Sequence, residues 1–171
     1  MRFAGTAPRP WRNGSGTTRE LHRDEDWRLS VAEIGGPATF SEFPGFDRTL
    51  VVARGAVELS VDGVGYRLVA GEALAFPGEA DVRAHAPDAP ARVVNVMADR
   101  TRGGVVVEVA RVSGAVPAAA GMVLLAGRAT CHGRAGGPGD AVVPVAAGRV
   151  HAVHALTVLV RPRPRGPEGA S

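Results

Sequence analysis

Short apolar runs, rich in valine and bounded by glycine or proline, recur along the whole chain. The clearest pattern lies in residues 56–62, where Val57, Leu59 and Val61 alternate with polar residues. A period of two residues is typical of a strand with one buried and one exposed face. The pattern predicts an all-β sandwich or barrel. Its ten predicted strands cover 27–34, 49–53, 56–62, 65–69, 73–76, 92–98, 105–112, 122–126, 141–145 and 150–160.

The predicted strand 27–34 has two unlike faces. The residues of the two faces are Trp27, Leu29 and Val31 on one side, and Arg28, Ser30 and Ala32 on the other. Large apolar side chains belong in a core, whereas one cation with small neighbours suits the wall of a pocket that must hold a ligand. In the predicted strand 92–98, Asn95 shares a face with Met97. Asn95 is therefore either a ligand-orienting amide or the partner of a neighbouring backbone group.

Two segments of the chain resemble two later ones in the same order. Residues 50–55 are similar to 122–127, and residues 71–77 are similar to 139–144. A length of 171 residues fits one domain, so the repeat indicates two fused β-halves inside it. We expect a single domain over 1–165, with halves of about 1–100 and 101–160. Residues 161–171 are rich in proline and arginine and are predicted to be a flexible tail.

The charge of the chain limits its partners. The formal net charge is only +3 although the pI is about 10.3, because every basic residue other than histidine is arginine. Such a small net charge predicts no nucleic-acid partner. No apolar run approaches the ~20 residues of a membrane span, and the N-terminus shows no apolar signal segment. We therefore expect no membrane partner and a cytoplasmic location. The single cysteine, Cys131, allows no internal disulfide.

Residues 51–63 and 66–78 resemble the central strands of cupins. The first cupin motif reads Gly, five residues, His-x-His, three or four residues, Glu, six residues, Gly. Counted back from Gly55, every spacing of this motif fits. The residues at its three metal-ligand positions are Ser41, Phe43 and Arg48. The second motif begins Gly, five residues, Pro; Gly71 and Pro77 match it, and its histidine position falls near Val82.

These four residues change the chemistry expected of a cupin. Phe43 and Val82 carry no lone pair, and Arg48 is a permanent cation, so this register excludes a conventional metal site. An arginine in place of a carboxylate reverses the local charge, and the pocket is then expected to prefer an anion. The alternative is that Arg48 points outward or forms an ion pair with Asp47 or Glu42.

Four ordered motifs resemble the HutD/Ves family over roughly residues 3–160. They are residues 11–20, 27–32, 40–48, and 94–97 with Arg100. Arg12 and Ser15 depart from the family's usual Lys and Gly but keep charge and small size. The resemblance implies a metal-free, cofactor-free, cupin-like (RmlC-like jelly roll) double barrel. It also implies an association with histidine utilisation, in which the carbon skeleton becomes formimino- or formylglutamate. Members of the family have generally lacked a demonstrated catalytic activity.

We predict a pocket that binds a small anionic amino-acid derivative resembling formylglutamate. The predicted ligand-binding residues are Asn13, Arg28, Ser30, Ser41, Arg48, Asn95 and Arg100. The loop 12–18 is either an anion cradle or a plain turn. No catalytic residue is assigned.

Two further functions are compatible with the sequence. One alternative is a metal-independent isomerase or hydrolase in which Glu20 or Asp47 is the general acid or base. Another is a regulatory module whose repeated halves build a homodimer surface.

Overall fold

The structure is a computed structural model, and it describes residues 7–11 and 14–163. This part of the chain folds into fifteen strands and one 3₁₀ turn, Arg100–Arg102, with no α-helix among the described residues. The strands are β1 (Arg9–Pro10), β2 (Gly16–Arg23), β3 (Trp27–Ile34), β4 (Ala38–Thr39), β5 (Phe46–Arg54), β6 (Ala56–Val61), β7 (Val64–Val69), β8 (Ala73–Pro77), β9 (Val82–His85), β10 (Ala91–Asp99), β11 (Val105–Ala115), β12 (Gly121–Cys131), β13 (Arg134–Gly136), β14 (Ala141–Val142) and β15 (Val150–Pro162). The all-β prediction is confirmed. Within the described residues, no helix has the length and apolar character needed to cross a membrane.

Two sheets built from strands β1 to β10 face each other. The six-stranded sheet has the order β1-β2-β3-β10-β5-β8, and the four-stranded sheet has the order β4-β9-β6-β7. All strand pairs within them are antiparallel. Their inner faces share one core, which includes Ile34, Leu50 and Val52 from the larger sheet and Val57 and Val82 from the smaller one. The period-2 alternation predicted for residues 56–62 therefore points its apolar side into this core.

The C-terminal half forms one five-stranded sheet, with the order β11-β15-β12-β13 and β14 beside β12. One face packs on the outer face of the six-stranded sheet, where Trp27 and Leu29 meet Val123 and Val158. A Cβ atom on Gly121 would lie 2.8 Å from the Trp27 ring, so this contact requires a glycine. The other face has a core of its own. The core role predicted for Trp27 and Leu29 is confirmed, and a second complete barrel stays a prediction.

Several element boundaries differ from the sequence prediction. Strand β2 takes in the last three residues of the predicted loop 12–18, because Thr17 and Thr18 pair with both β1 and β3. Only Gly14 and Ser15 remain as a bend among the described residues of that loop. The predicted strand 141–145 is cut to two residues before Pro144, which lacks the N–H that a ladder needs. Strand β15 includes residues 161–162 of the predicted tail, whose residues 164–171 lie outside the described part.

Candidate functional site

A cavity of about 560 Å³ opens on the inner face of the six-stranded sheet, under the segment 39–43 that precedes β5. Its size is that of a small-molecule site. Its lining includes Trp11, Thr18, Glu20, Arg23, Arg28, Ser30, Ala32, Phe40, Ser41, Phe43, Arg48, Asn95 and Met97. Five of the seven predicted ligand-binding residues are among them: Arg28, Ser30, Ser41, Arg48 and Asn95.

Strand register explains why these residues meet. Arg28 on β3, Met97 on β10, Arg48 on β5 and Phe76 on β8 lie opposite one another in a single row across the sheet. Residues two positions along a strand share a face, so the next row projects to the same side. That row contains Ser30, Asn95 and Leu50. A cationic row therefore lies beside a hydrogen-bonding row on one wall of the cavity.

Arg48 is buried in this wall, with an exposed fraction of only 4%. Its Nη1 donates to the carbonyl oxygen of Ser41 at 3.0 Å, and its Nε is buried without a hydrogen-bond partner among the described residues. No carboxylate of the described chain lies within ion-pair distance of it. Burial away from water lowers the pKa of Arg48 to about 10. The alternatives of an outward Arg48, or of one paired with Asp47 or Glu42, are wrong.

Phenylalanine rings surround the Arg48 guanidinium. Its Cζ lies 5.1, 5.6 and 5.3 Å from the ring centroids of Phe40, Phe43 and Phe76. The negative face of an aromatic ring attracts a cation at such distances. A ring face cannot replace a carboxylate as a hydrogen-bond acceptor, however, so the guanidinium keeps donors for a further partner. Arg48 is thus held by aromatic contacts, while no carboxylate among the described residues neutralises its charge.

Arg28 and Asn95 extend the same arrangement. The Cζ of Arg28 lies 5.0 Å from the Phe46 ring centroid and 5.8 Å from that of Phe43. The Nε of Arg28 and the Oδ1 of Asn95 are both buried without a hydrogen-bond partner in the described residues. Buried polar atoms are normally satisfied, so these atoms suit a site completed by a bound molecule. No described backbone group forms a hydrogen bond with the Asn95 side chain, contrary to the alternative role predicted for it.

Arg100 and Asp47 do not line the cavity, although the first was predicted to bind the ligand and the second to hold Arg48. The Nε of Arg100 donates to Asp47 Oδ1 at 2.7 Å, and its Nη atoms donate to both carboxylate oxygens of Glu79 at 2.7 and 2.8 Å. These bonds raise the pKa of Arg100 and lower that of Glu79. Neighbouring residues of a strand point to opposite faces, which turns Asp47 away from Arg48. Asn13 lies outside the described residues.

Comparison with known proteins identifies the family. The model of the HutD family matches residues 4–141. The chain belongs to the HutD family. A relative from Pseudomonas putida, described as an uncharacterised 21.2 kDa protein in the hutC 3′ region, is 42% identical over 82 residues, which are 43% of either chain. Protein Ves of Citrobacter koseri is 34% identical over 102 residues, which are 54% of this chain and 53% of that protein. These matches span about half the length of the curated relatives.

Solved structures match this HutD-family chain over nearly its whole length. HutD from Pseudomonas fluorescens SBW25 has a TM-score of 0.72 and 25% identity, covering 93% of this chain and 95% of that one. A conserved protein of unknown function from Pseudomonas aeruginosa PAO1 has a TM-score of 0.73 and 28% identity, covering 91% and 92%. KdgF from Halomonas, at a TM-score of 0.51 and 17% identity, covers 58% of this chain and 94% of its own. This last likeness concerns the fold alone. The predicted cupin-like fold and HutD/Ves membership are confirmed.

The residues at the four cupin ligand positions lie at or beneath the cavity of this HutD-family protein. Ser41, Phe43 and Arg48 all line the cavity, and Val82 lies in the core beneath it, with its carbonyl oxygen accepting from the Phe40 N–H at 2.9 Å. The residue types offer no set of lone pairs for a divalent metal. Among the described residues, no group of three or more His, Cys, Asp or Glu side chains could hold a metal ion.

Sequence reasoning missed the aromatic part of the HutD cavity. Neither Phe40 nor Trp11 is among the predicted ligand-binding residues, yet both line the cavity and their ring centroids lie 6.2 Å apart. The Nε1 of Trp11 donates to Thr18 Oγ1 at 2.6 Å, which fixes the ring at the cavity wall. The sequence does contain a signal for it, because three of the five phenylalanines follow each other at intervals of three residues. In the structure these three and Phe76 contact Arg28 or Arg48.

Proposed function

We propose that this HutD-family protein binds a small anionic amino-acid derivative in the cavity, without a catalytic step. The observation that supports the proposal is the buried Arg48 guanidinium, which no carboxylate of the described chain neutralises. Burial of an unpaired charge costs free energy, and a bound carboxylate would offset that cost with charge-assisted hydrogen bonds. The adjoining row, Ser30 and Asn95, supplies neutral donors and acceptors for the rest of the ligand.

A formylglutamate-like compound is the ligand we propose. The Pseudomonas putida relative is described by its place in the hutC 3′ region, and a structural relative is HutD itself. These descriptions support a link to histidine utilisation, whose intermediates include formimino- and formylglutamate. Such a molecule combines carboxylates for the cationic row with an amide or amidine for Ser30 and Asn95. A cavity of about 560 Å³ has room for a ligand of this size.

A metal-independent isomerase or hydrolase is the second candidate. Of its two proposed general acid–base residues, Glu20 lines the cavity, where the Nε of Arg23 donates to its Oε2 at 2.9 Å. Asp47 pairs with Arg100 outside it and is no longer a candidate. Proton NMR of formylglutamate incubated with the protein distinguishes the two functions. Recovery of unchanged ligand supports a binding protein, and steady conversion that stops in Glu20→Gln supports an enzyme.

Calorimetric titration with formylglutamate, formiminoglutamate and glutamate tests the binding function. We expect Arg48→Met to lower the affinity for the compound that binds by about 30-fold or more, because hydrogen bonds to charged groups contribute roughly 1.5–3 kcal/mol each. Arg100→Met is the matched control, since it removes another predicted ligand-binding arginine, one that pairs with Asp47 outside the cavity. Its affinity should stay within about threefold of the unsubstituted protein. Absence of binding for all three compounds, or equal affinity in Arg48→Met, contradicts the proposal.

A further inference from the structure

Two uncompensated guanidiniums, not one, line the cavity. Arg28 and Arg48 each have a buried Nε with no hydrogen-bond partner among the described residues. No described carboxylate lies within ion-pair distance of either. Glu20, an acidic residue of the lining, pairs with Arg23. The wall therefore carries two positive charges that the described chain does not neutralise.

The spacing of the two guanidiniums sets the kind of anion they can hold. Arg28 and Arg48 lie in one cross-strand row with Met97 between them, so their backbones are roughly 10 Å apart at the strand spacing of a sheet. Both Cζ atoms are close to the Phe43 ring, at 5.8 and 5.6 Å from its centroid. Two atoms at those distances from one point are separated by no more than about 11 Å. Met97 lies between the two arginines in this row, and it also lines the cavity.

A short diacid fits this spacing. Its carboxylate carbons lie roughly 5 Å apart when they are the two ends of a five-carbon chain, and a hydrogen bond of roughly 3 Å is added at each end. We propose that the cavity selects dicarboxylates over monocarboxylates, with one carboxylate on Arg48 and the second on Arg28. This inference rests on the proposed function, and it adds Arg28 as the residue that determines specificity. Phe46 and Phe43 hold the Arg28 guanidinium by their ring faces, which leaves its hydrogen-bond donors for the ligand.

Calorimetry with N-formylglutamate and its two monoamides, N-formylglutamine and N-formylisoglutamine, tests the inference at fixed ionic strength. The monoamides keep the shape of the diacid and lose one charge. We expect the diacid to bind the unsubstituted protein at least tenfold more tightly than either monoamide. In Arg28→Gln this preference should largely vanish for the monoamide that lacks the carboxylate held by Arg28. Arg28→Lys keeps the charge and should restore part of the preference, which a merely structural role of Arg28 would not explain.

The other outcomes distinguish failure of the dicarboxylate selection from failure of the proposed function. Equal affinity for the diacid and both monoamides overturns the dicarboxylate selection and leaves the proposed function standing. Equal weakening of all three compounds in Arg28→Gln and Arg28→Lys likewise overturns it. Inorganic phosphate that binds more tightly than the diacid points to a single compact dianion and contradicts the two-point model. If none of the compounds binds the unsubstituted protein, the proposed function fails together with the inference.

Discussion

Arg48→Met is expected to make the ligand-free protein more stable, by about 1–4 kcal/mol in the free energy of unfolding, the range seen when buried charges give way to well-packed apolar side chains. Arg48 is 4% exposed, and its guanidinium has no counter-ion in the described chain. Methionine is similar in length, and its thioether makes favourable contacts with aromatic rings such as Phe40, Phe43 and Phe76. Urea unfolding at pH 7 of the unsubstituted and Arg48→Met proteins measures the difference.

The pH dependence of that difference follows from the lowered pKa of Arg48. Burial reduces it from the ordinary value of arginine to about 10, so the folded state binds this proton less tightly than the unfolded state does. The cost of the buried charge is therefore fully present below pH 10 and is lost as the pH rises from 10 towards the ordinary pKa of arginine. A shift of this size corresponds to about 3 kcal/mol, within the range expected for the substitution. The stability advantage of Arg48→Met should thus be constant from pH 7 to 9 and shrink near pH 11.

Arg54→Met is the control for this stability measurement. Arg54 lies on the same strand, its side chain is 62% exposed, and its Nη2 is 3.3 Å from Glu33 Oε2. Substitution of an exposed, paired arginine should change the free energy of unfolding by less than about 0.5 kcal/mol. A loss of stability in Arg48→Met would show that the aromatic contacts outweigh the desolvation of the charge. The expected gain, joined with a loss of binding, would show that Arg48 is retained for a ligand and not for the fold.

Much of the cavity could be predicted because strand periodicity fixes which side chains share a face. Alternation placed Arg28 with Ser30 and Asn95 with Met97, and motif spacing placed Ser41 and Arg48 together. These inferences need only the two-residue repeat of a strand and a count between glycines. The antiparallel register then brings separate strands into one wall, which no single segment reveals.

The errors came from residues whose positions depend on pairing or turns. Strand β2 is polar and shows no alternation, and it is a strand because β1 and β3 hydrogen-bond it on both sides. Arg100 follows the cavity strand β10 closely in sequence, but the 3₁₀ turn directs its side chain towards Glu79 and Asp47. The aromatic rings around Arg48 were not predicted because Phe40 and Phe43 lie in a segment without regular structure, where periodicity does not indicate the direction of a side chain.

Gly78→Ala is expected to damage both stability and binding, because Gly78 holds the segment that carries Phe43. Its N–H donates to the Phe46 carbonyl and its own carbonyl accepts from the Phe43 N–H, each at 2.7 Å. A Cβ atom there would lie less than 3.0 Å from the carbonyl oxygens of both phenylalanines. These are backbone atoms, so the segment itself must move. We expect a loss of about 2 kcal/mol or more in the free energy of unfolding, typical of a forced backbone shift.

Ligand affinity should fall with it, by about tenfold, because Phe43 contacts both Arg28 and Arg48 and a displaced ring releases both guanidiniums. Urea unfolding and calorimetry with formylglutamate measure the two effects. Gly36→Ala is the matched control, since Gly36 lies in a loop and an added Cβ would meet nothing within 4 Å. It should leave both quantities nearly unchanged. Unaltered affinity in a folded Gly78→Ala protein would mean that ligand binding does not depend on the position of Phe43. Binding would then depend only on the cavity residues that the strands of the sheet carry.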